Sequence, residues 1–261
     1  MLLAINVGNT TTGLGVFEGR RLVVSWRLTS RREQTADEYG VFIQTLLKSR
    51  GIEPSRITAV AISNVVPPVQ QTLEWMCEKY FGLSPFTVEP GVNVGLPLQV
   101  ENPAEVGPDR IVDVVGASEL YGPPLIVIDF GTATTFNCVN SRGEFIGGAI
   151  APGIVTGSEA LVSRAARLFR VELVQPKEAI GRNTVTNIQS GIVYGYAGLV
   201  DGLVDRMRAE MEGSPTVVAT GGLAPLIQKV SRTIQHVNLN LTLEGLRSVY
   251  EQARAARAPR A

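Results

Sequence analysis

The chain has 261 residues, 44% of them hydrophobic and 18% charged, which excludes a disordered or fibrous protein and suits one large globular domain or two small ones. Its 24 basic and 24 acidic side chains cancel, so no net field draws it to nucleic acid or an anionic membrane. Two cysteines in unrelated contexts, Cys77 and Cys138, and a single histidine, His236, argue against a disulfide framework, a zinc centre and histidine-based catalysis. Acid–base work is left to carboxylates, and the lack of a disulfide framework suits a reducing compartment. The N-terminus lacks a secretory pattern, and no run reaches the ~18 apolar residues of a membrane helix. The expectation is a cytoplasmic chain with no membrane or nucleic-acid partner.

Residues 2–7 read as a buried strand, Gly8 to Thr10 as a turn, 11–17 as a second strand, and Leu22 to Leu28 as a third after Glu18-Gly19-Arg20. Tyr39, Phe42, Ile43, Leu46 and Leu47 follow helical spacing, and Gly51 ends that helix. Ile57 to Ser63 reads as a buried strand of parallel type. Asn64-Val65-Val66-Pro67-Pro68 leads from it into a helix that starts at proline, runs to about Tyr80 and stops at Gly82. Pro85 to Glu89 is a short strand, and the glycine- and proline-rich segment 90–98 is a loop. Asn102-Pro103-Ala104-Glu105 reads as the cap of a helix continuing to about Tyr121.

Gly122-Pro123-Pro124 is the expected boundary between a domain of residues 1–121 and one of 122–261. The second half opens as the first does: strand 125–130, a turn, strand 134–140, the turn Ser141-Arg142-Gly143, and strand 144–150. Gly147-Gly148-Ala149-Ile150-Ala151-Pro152-Gly153 is too glycine-rich for an ordinary strand and reads as a strand end bending close to a ligand or another backbone. A helix over about 156–168 follows. The long helix from Asn183 to Arg208 carries Gly191, Gly195, Gly198 and Gly202 near one face, at a cost of ~1 kcal/mol each relative to alanine. A closely approaching helix or ligand would offset that cost. Thr216 to Thr220 is a strand ending in Gly221-Gly222, and Leu223-Ala224-Pro225 starts a helix. The basic segment from Arg254 to Ala261 reads as a frayed tail.

The repeat carries the chemistry. Ile128-Asp129-Phe130-Gly131-Thr132-Ala133-Thr134-Thr135 aligns without a gap on Ile5-Asn6-Val7-Gly8-Asn9-Thr10-Thr11-Thr12, an offset of 123 residues. In each copy an apolar strand ends beside a carboxylate or its amide. A glycine then lets the main chain turn close to a ligand, and hydroxyls and freed N–H groups follow that suit phosphate oxygens. Two such turns in one chain point to two similar domains serving one nucleotide.

This combination resembles the acetate kinase, sugar kinase and actin superfamily. The motifs Asn-Val-Gly-Asn-Thr (6–10), Gly-Pro-Asp-Arg (107–110), Ile-Asp-Phe-Gly-Thr-Ala-Thr-Thr (128–135), Gly-Gly-Ala-Ile-Ala-Pro-Gly (147–153) and Gly-Arg-Asn-Thr (181–184) are similar, in order, to those of type III pantothenate kinases. The resemblance implies an α/β fold of two ribonuclease-H-like domains, each with a mixed sheet flanked by helices, closing over ATP. The implied reaction is ATP-dependent phosphorylation of pantothenate to 4′-phosphopantothenate, the first step of coenzyme A biosynthesis. It implies ATP contacts from Asn6, Val7, Gly8, Asn9, Thr10, Thr11, Thr12 and Gly13, and from Thr132, Gly221 and Gly222. It further implies substrate contacts from Val100, Gly107, Pro108, Asp109, Arg110 and Thr184, with Asp109 as general base. Magnesium is expected with ATP, a monovalent cation (potassium or ammonium) at Asp129, and a homodimer formed by helices of the second domain.

Two positions depart from the family pattern. Asn6 stands where the family carries aspartate, which keeps an acceptor oxygen but removes the negative charge a hard cation prefers. Val100 stands where many members carry a tyrosine, so one hydroxyl contact to the substrate is missing. Asn6 also frames the rival reading, a non-catalytic regulator that binds nucleotide or pantothenate.

Overall fold

The computed structural model describes residues 1–89 and 95–257. Positions 90–94 of the expected loop and the last four residues of the expected tail lie outside the described residues. The chain forms two compact units, Met1–Glu119 with Asn240–Ala261, and Leu120–Leu239.

The first unit is built on a five-stranded mixed sheet: β1 (Leu2–Val7), β2 (Thr11–Glu18), β3 (Arg21–Thr29), β4 (Ala59–Asn64) and β5 (Phe86–Val88), in the order β3-β2-β1-β4-β5. Its hairpin strands β1–β3 are antiparallel, while β4 and β5 run parallel to β1. Alternation along the strands divides the side chains between two faces. Leu3, Ile5, Val7, Val60 and Ile62 bury against α1 (Ala36–Ser49) and α2 (Gln70–Phe81), through Tyr39, Ile43, Leu47, Leu73 and Met76. A capping box starts α1: the Thr35 hydroxyl accepts from the Glu38 amide, and the Glu38 carboxylate accepts from the Thr35 amide.

The opposite face belongs to a helix that the sequence reading did not assign, α7 (Leu241–Arg257). Leu243 of α7 packs over the Cα atoms of Gly13 and Gly15 in β2. Against α7 lies α3 (Pro108–Tyr121), with contacts that advance together along both helices. The Thr242 hydroxyl donates to Asp113 Oδ1 at 2.6 Å, the main chains touch at Gly116 and Gly245, and the Arg247 guanidinium meets Glu119 at 2.8 Å. A Cβ on Gly245 would stand 1.7 Å from the Val112 carbonyl oxygen, so only glycine permits this approach. These contacts correct the expected domain limits. The C-terminal helix completes the first unit instead of extending the second, and it is ordered as helix through Arg257 instead of fraying from Arg254.

The second unit repeats the topology. Its strands β6 (Leu125–Phe130), β7 (Ala133–Val139), β8 (Phe145–Pro152), β9 (Thr216–Thr220) and β10 (His236–Val237) are ordered β10-β9-β6-β7-β8. The hairpin strands are antiparallel, and β9 and β10 run parallel to β6 and to β9 respectively. Ile126, Ile128, Phe136 and Val217 form its core with Ile188, Val200 and Val204 of α5 (Thr184–Glu210) and Ile227 of α6 (Ala224–Gln228). Between β8 and α5 lies α4 (Ile154–Arg164), which begins two residues earlier than its spacing suggests, directly after Gly153. The expected single helix from Asn102 is also two pieces: a 3-10 turn over Pro103–Glu105, then α3. Gly107-Pro108 separates them, because proline fits the first turn of a helix better than its interior.

Candidate active site

In the first unit Asn6 is the penultimate residue of β1, and Gly8, Asn9 and Thr10 form the turn into β2, which starts at Thr11. The Gly8 amide donates to the Thr11 carbonyl at 3.0 Å, leaving Asn9 and Thr10 exposed at the tip. The end of β3 braces this turn. The Ser30 amide donates to the Thr10 carbonyl at 3.0 Å, and the Ser30 and Thr12 hydroxyls bond to each other at 2.8 Å. Val7 points into the core, so any contact it makes with a ligand is through its main chain.

The corresponding turn of the second unit is one residue shorter. Phe130 pairs with Thr134 where Val7 pairs with Thr12, and the Gly131 amide donates to Ala133 instead of to a residue three positions on. The gapless alignment therefore slips after the glycine: Thr12, not Thr11, matches Thr134. Both threonines are buried, and Thr134 Oγ1 donates to the Pro152 carbonyl at 3.2 Å. The run of threonines in each copy hides the extra residue, because either register aligns like with like.

The glycine-rich end of β8 bends against another backbone, and that backbone is the second turn. A Cβ on Gly153 would stand 2.3 Å from the carbonyl oxygens of both Gly131 and Thr132. The Gly153 amide donates to Thr132 O at 3.0 Å, the Thr156 hydroxyl to the same oxygen at 2.8 Å, and Tyr196 OH to Gly153 O at 3.0 Å. Gly221, at φ +91°, lies against the main chain of Phe130 on the other side, with Gly222 exposed beside it. Thr132 is thus presented on a turn clamped from two directions, with Gly222 exposed on one of the clamping segments. Asp129 is half-buried within β6, opposite Thr135 on one neighbouring strand and Thr220 on the other.

Asp109 occupies the first turn of α3, and its Oδ1 accepts from the Arg110 amide at 2.9 Å. Gly107 admits the carboxylate: a Cβ there would be 2.6 Å from Asp109 Oδ1. Burial pushes the Asp109 carboxyl above its ordinary range, against the opposing pull of the Arg110 amide and charge. A carboxylate tuned upward and partly screened from water is suited to taking a proton from an alcohol. Val100 is half-buried in the segment leading to α3. Thr184 is the exposed first residue of α5, next to Asn183, whose side chain caps that helix by accepting from the Thr186 amide at 2.9 Å. Two structural supports escaped the sequence reading, Ser30 and Tyr196, since each acts on a segment distant in sequence.

The family model described as type III pantothenate kinase matches residues 2–206. The chain belongs to the type III pantothenate kinase family. It is 52% identical over 256 residues to the type III pantothenate kinase of Myxococcus xanthus, covering 98% of this chain and all of that one. The Geobacter sulfurreducens type III pantothenate kinase is 52% identical over 254 residues, 97% of this chain and all of the relative. Among solved structures, a Campylobacter jejuni protein assigned to the Baf family superposes with a TM-score of 0.60 at 18% identity, covering 97% and 99% of the two chains. The activator of 2-hydroxyisocaproyl-CoA dehydratase from Clostridium difficile, with bound ADPNP, gives 0.54 at 10% identity, covering 100% and 98%. At those identities the likeness shows a shared fold alone.

Proposed function

We propose that this chain transfers the γ-phosphoryl group of ATP to the terminal hydroxyl of pantothenate, giving 4′-phosphopantothenate and ADP, the entry to coenzyme A. The observation that carries the assignment of roles is Asp109, raised by burial, admitted by Gly107 and oriented by the start of α3. The substrate oxygen attacks the γ-phosphorus, its proton passes to Asp109, and the bond to the β–γ bridging oxygen breaks. Phosphoryl transfer depends mainly on positioning and charge neutralisation, so the turn amides and hydroxyls of Gly8 to Gly13 and of Thr132 take the phosphates. Gly221 and Gly222 lie toward the nucleoside, and Arg110, Pro108, Val100 and Thr184 toward pantothenate.

The residues fit a hard cation. Asn6 Oδ1 is a buried oxygen with no hydrogen-bond partner among the described residues, a position that oxygen-ligated magnesium or its water shell suits. Asn6 would hold magnesium with ATP, and Asp129 a potassium or ammonium ion; when bound, they neutralise phosphate charge. The decisive assay is pantothenate-dependent ADP release with magnesium and potassium present, comparing the parent with Asn6→Asp. Restoring the charge is expected to raise kcat/KM about tenfold or more, since charge-assisted contacts are roughly twice as strong as neutral ones. Absence of turnover in both proteins sinks the kinase reading and leaves the ligand-binding regulator.

The family's homodimer is supported by α5. Gly191, Gly195 and Gly198 are exposed, and a Cβ at any of them meets nothing within 4 Å among the described residues outside its own stretch of helix. Packing among the described residues therefore does not account for these glycines, whereas a second copy approaching α5 closely does. Gly195→Trp is expected to sediment as a monomer at concentrations where the parent is a dimer; an unchanged sedimentation coefficient would place the interface elsewhere. A cytoplasmic location agrees with two buried cysteines that form no disulfide, of which the Cys77 thiol is pushed up to about 12 by burial.

A further inference from the structure

Ser63 is fully buried, and its hydroxyl has no hydrogen-bond partner among the described residues. Asn6, whose Oδ1 is likewise buried and unpartnered, stands directly opposite it in the register of the parallel pair β1 and β4. Both are penultimate residues of their strands, and both project from the face opposite Ile5 and Ile62, the side that α7 covers. Adjacent strands lie ~4.8 Å apart, so the two polar groups are near neighbours. The next residue, Asn64, is by contrast fully engaged: it accepts from the Val66 amide at 2.8 Å and donates to Val66 O and Gln70 Oε1 at 3.1 Å. Buried polar groups are rarely left unmatched, because each loses its hydration without compensation. Two side by side at strand ends mark a place prepared for a ligand.

The chemistry of the pair restricts that ligand. Asn6 Oδ1 only accepts, whereas the Ser63 hydroxyl both donates and accepts. A bare phosphate oxygen would satisfy Ser63 and leave Asn6 Oδ1 unmet. An oxygen that carries a proton satisfies both. The second unit repeats the arrangement, with Thr220, also buried, opposite Asp129 on the corresponding parallel strand. Building on the kinase reading above, we infer that Ser63 is a positioning residue that, together with Asn6, holds one O–H-bearing oxygen, supplied either by the alcohol acceptor or by water on the cation of ATP.

The test is Ser63→Ala, with Ser63→Thr as the rescue variant, since the second unit accepts threonine at the equivalent place. Removing an unmatched buried hydroxyl does not lower the melting temperature, while kcat/KM is expected to fall on the order of tenfold with loss of the hydrogen bond. Ser63→Thr recovers most of that loss. A defect confined to KM for pantothenate at saturating magnesium assigns the oxygen to the acceptor alcohol. A defect reversed by higher magnesium assigns it to cation-bound water. Unchanged kcat, KM and magnesium dependence with an equal or higher melting temperature overturns the inference. Should the parent not turn over, the kinase reading has failed on its own. Calorimetric titration of parent and Ser63→Ala with pantothenate and with magnesium ADP then decides: weaker binding of either sustains the role of Ser63, and equal binding of both refutes it.

Discussion

Asp109→Asn is expected to lower kcat for pantothenate phosphorylation by about 10²- to 10⁴-fold, the usual contribution of a positioned general base. The substitution keeps the side-chain volume and an oxygen able to accept from the Arg110 amide, so the start of α3 stays intact. Its effect on stability has the opposite sense. A carboxyl whose folded pKa lies above its unfolded one contributes stability below the unfolded pKa, and that contribution is lost as pH rises through the folded pKa. At neutral pH the charge is therefore a cost, and the Asn variant melts no earlier than the parent. In the parent, kcat/KM rises with pH along an acidic limb displaced above the ordinary aspartate value of about 4. Steady-state pH profiles of both proteins check the assignment; an Asn variant that keeps the same acidic limb at near-parental rates would remove Asp109 from the mechanism.

Gly245→Ala is expected to cost more than about 4 kcal/mol of folding stability, an effect rarely seen for the addition of one methyl group. The added carbon would lie 1.7 Å from the Val112 carbonyl oxygen and 3.1 Å from the Gly116 amide nitrogen. Both obstacles are main chain, so no rotamer change relieves them, and α3 and α7 must separate. Separation also pulls Arg247, almost wholly buried, away from Glu119, and breaking one side of a buried ion pair typically costs about 3–5 kcal/mol. Urea denaturation followed by far-ultraviolet circular dichroism measures the loss. A midpoint close to the parent's would show that the two helices are not held at main-chain contact.

The paired hairpins were legible because each strand end couples an apolar run to a polar residue, a glycine and hydroxyls, a sequence of demands that few other structures make. Asp109 was legible only through its motif. Taken alone, Asp109-Arg110 looks like any solvated pair on a helix, and its burial comes from tertiary packing that no local spacing reveals. The last helix went unseen for a different reason. Leu243, Leu246 and Tyr250 follow helical spacing, but the Arg- and Ala-rich residues after them read as a tail. The partner surface of that helix, at Gly13, Gly15, Val112 and Gly116, lies more than a hundred residues upstream. The extra residue in the first turn was masked by threonines that match in either register, and strand pairing was needed to locate it.

That the chain returns to its first unit after leaving it has a consequence for biosynthesis. The unit spanning Leu120–Leu239 is continuous, so all its strands have been synthesised once Leu239 has emerged from the ribosome. The earlier unit holds its whole sheet by Val88, yet the face bearing Asn6, Gly13, Gly15 and Ser63 lacks its cover until Leu241 to Arg257 follow. Vectorial synthesis therefore inverts the order of completion: the half made first is the last to close, and nascent chains paused before residue 240 present an uncovered sheet to chaperones and proteases.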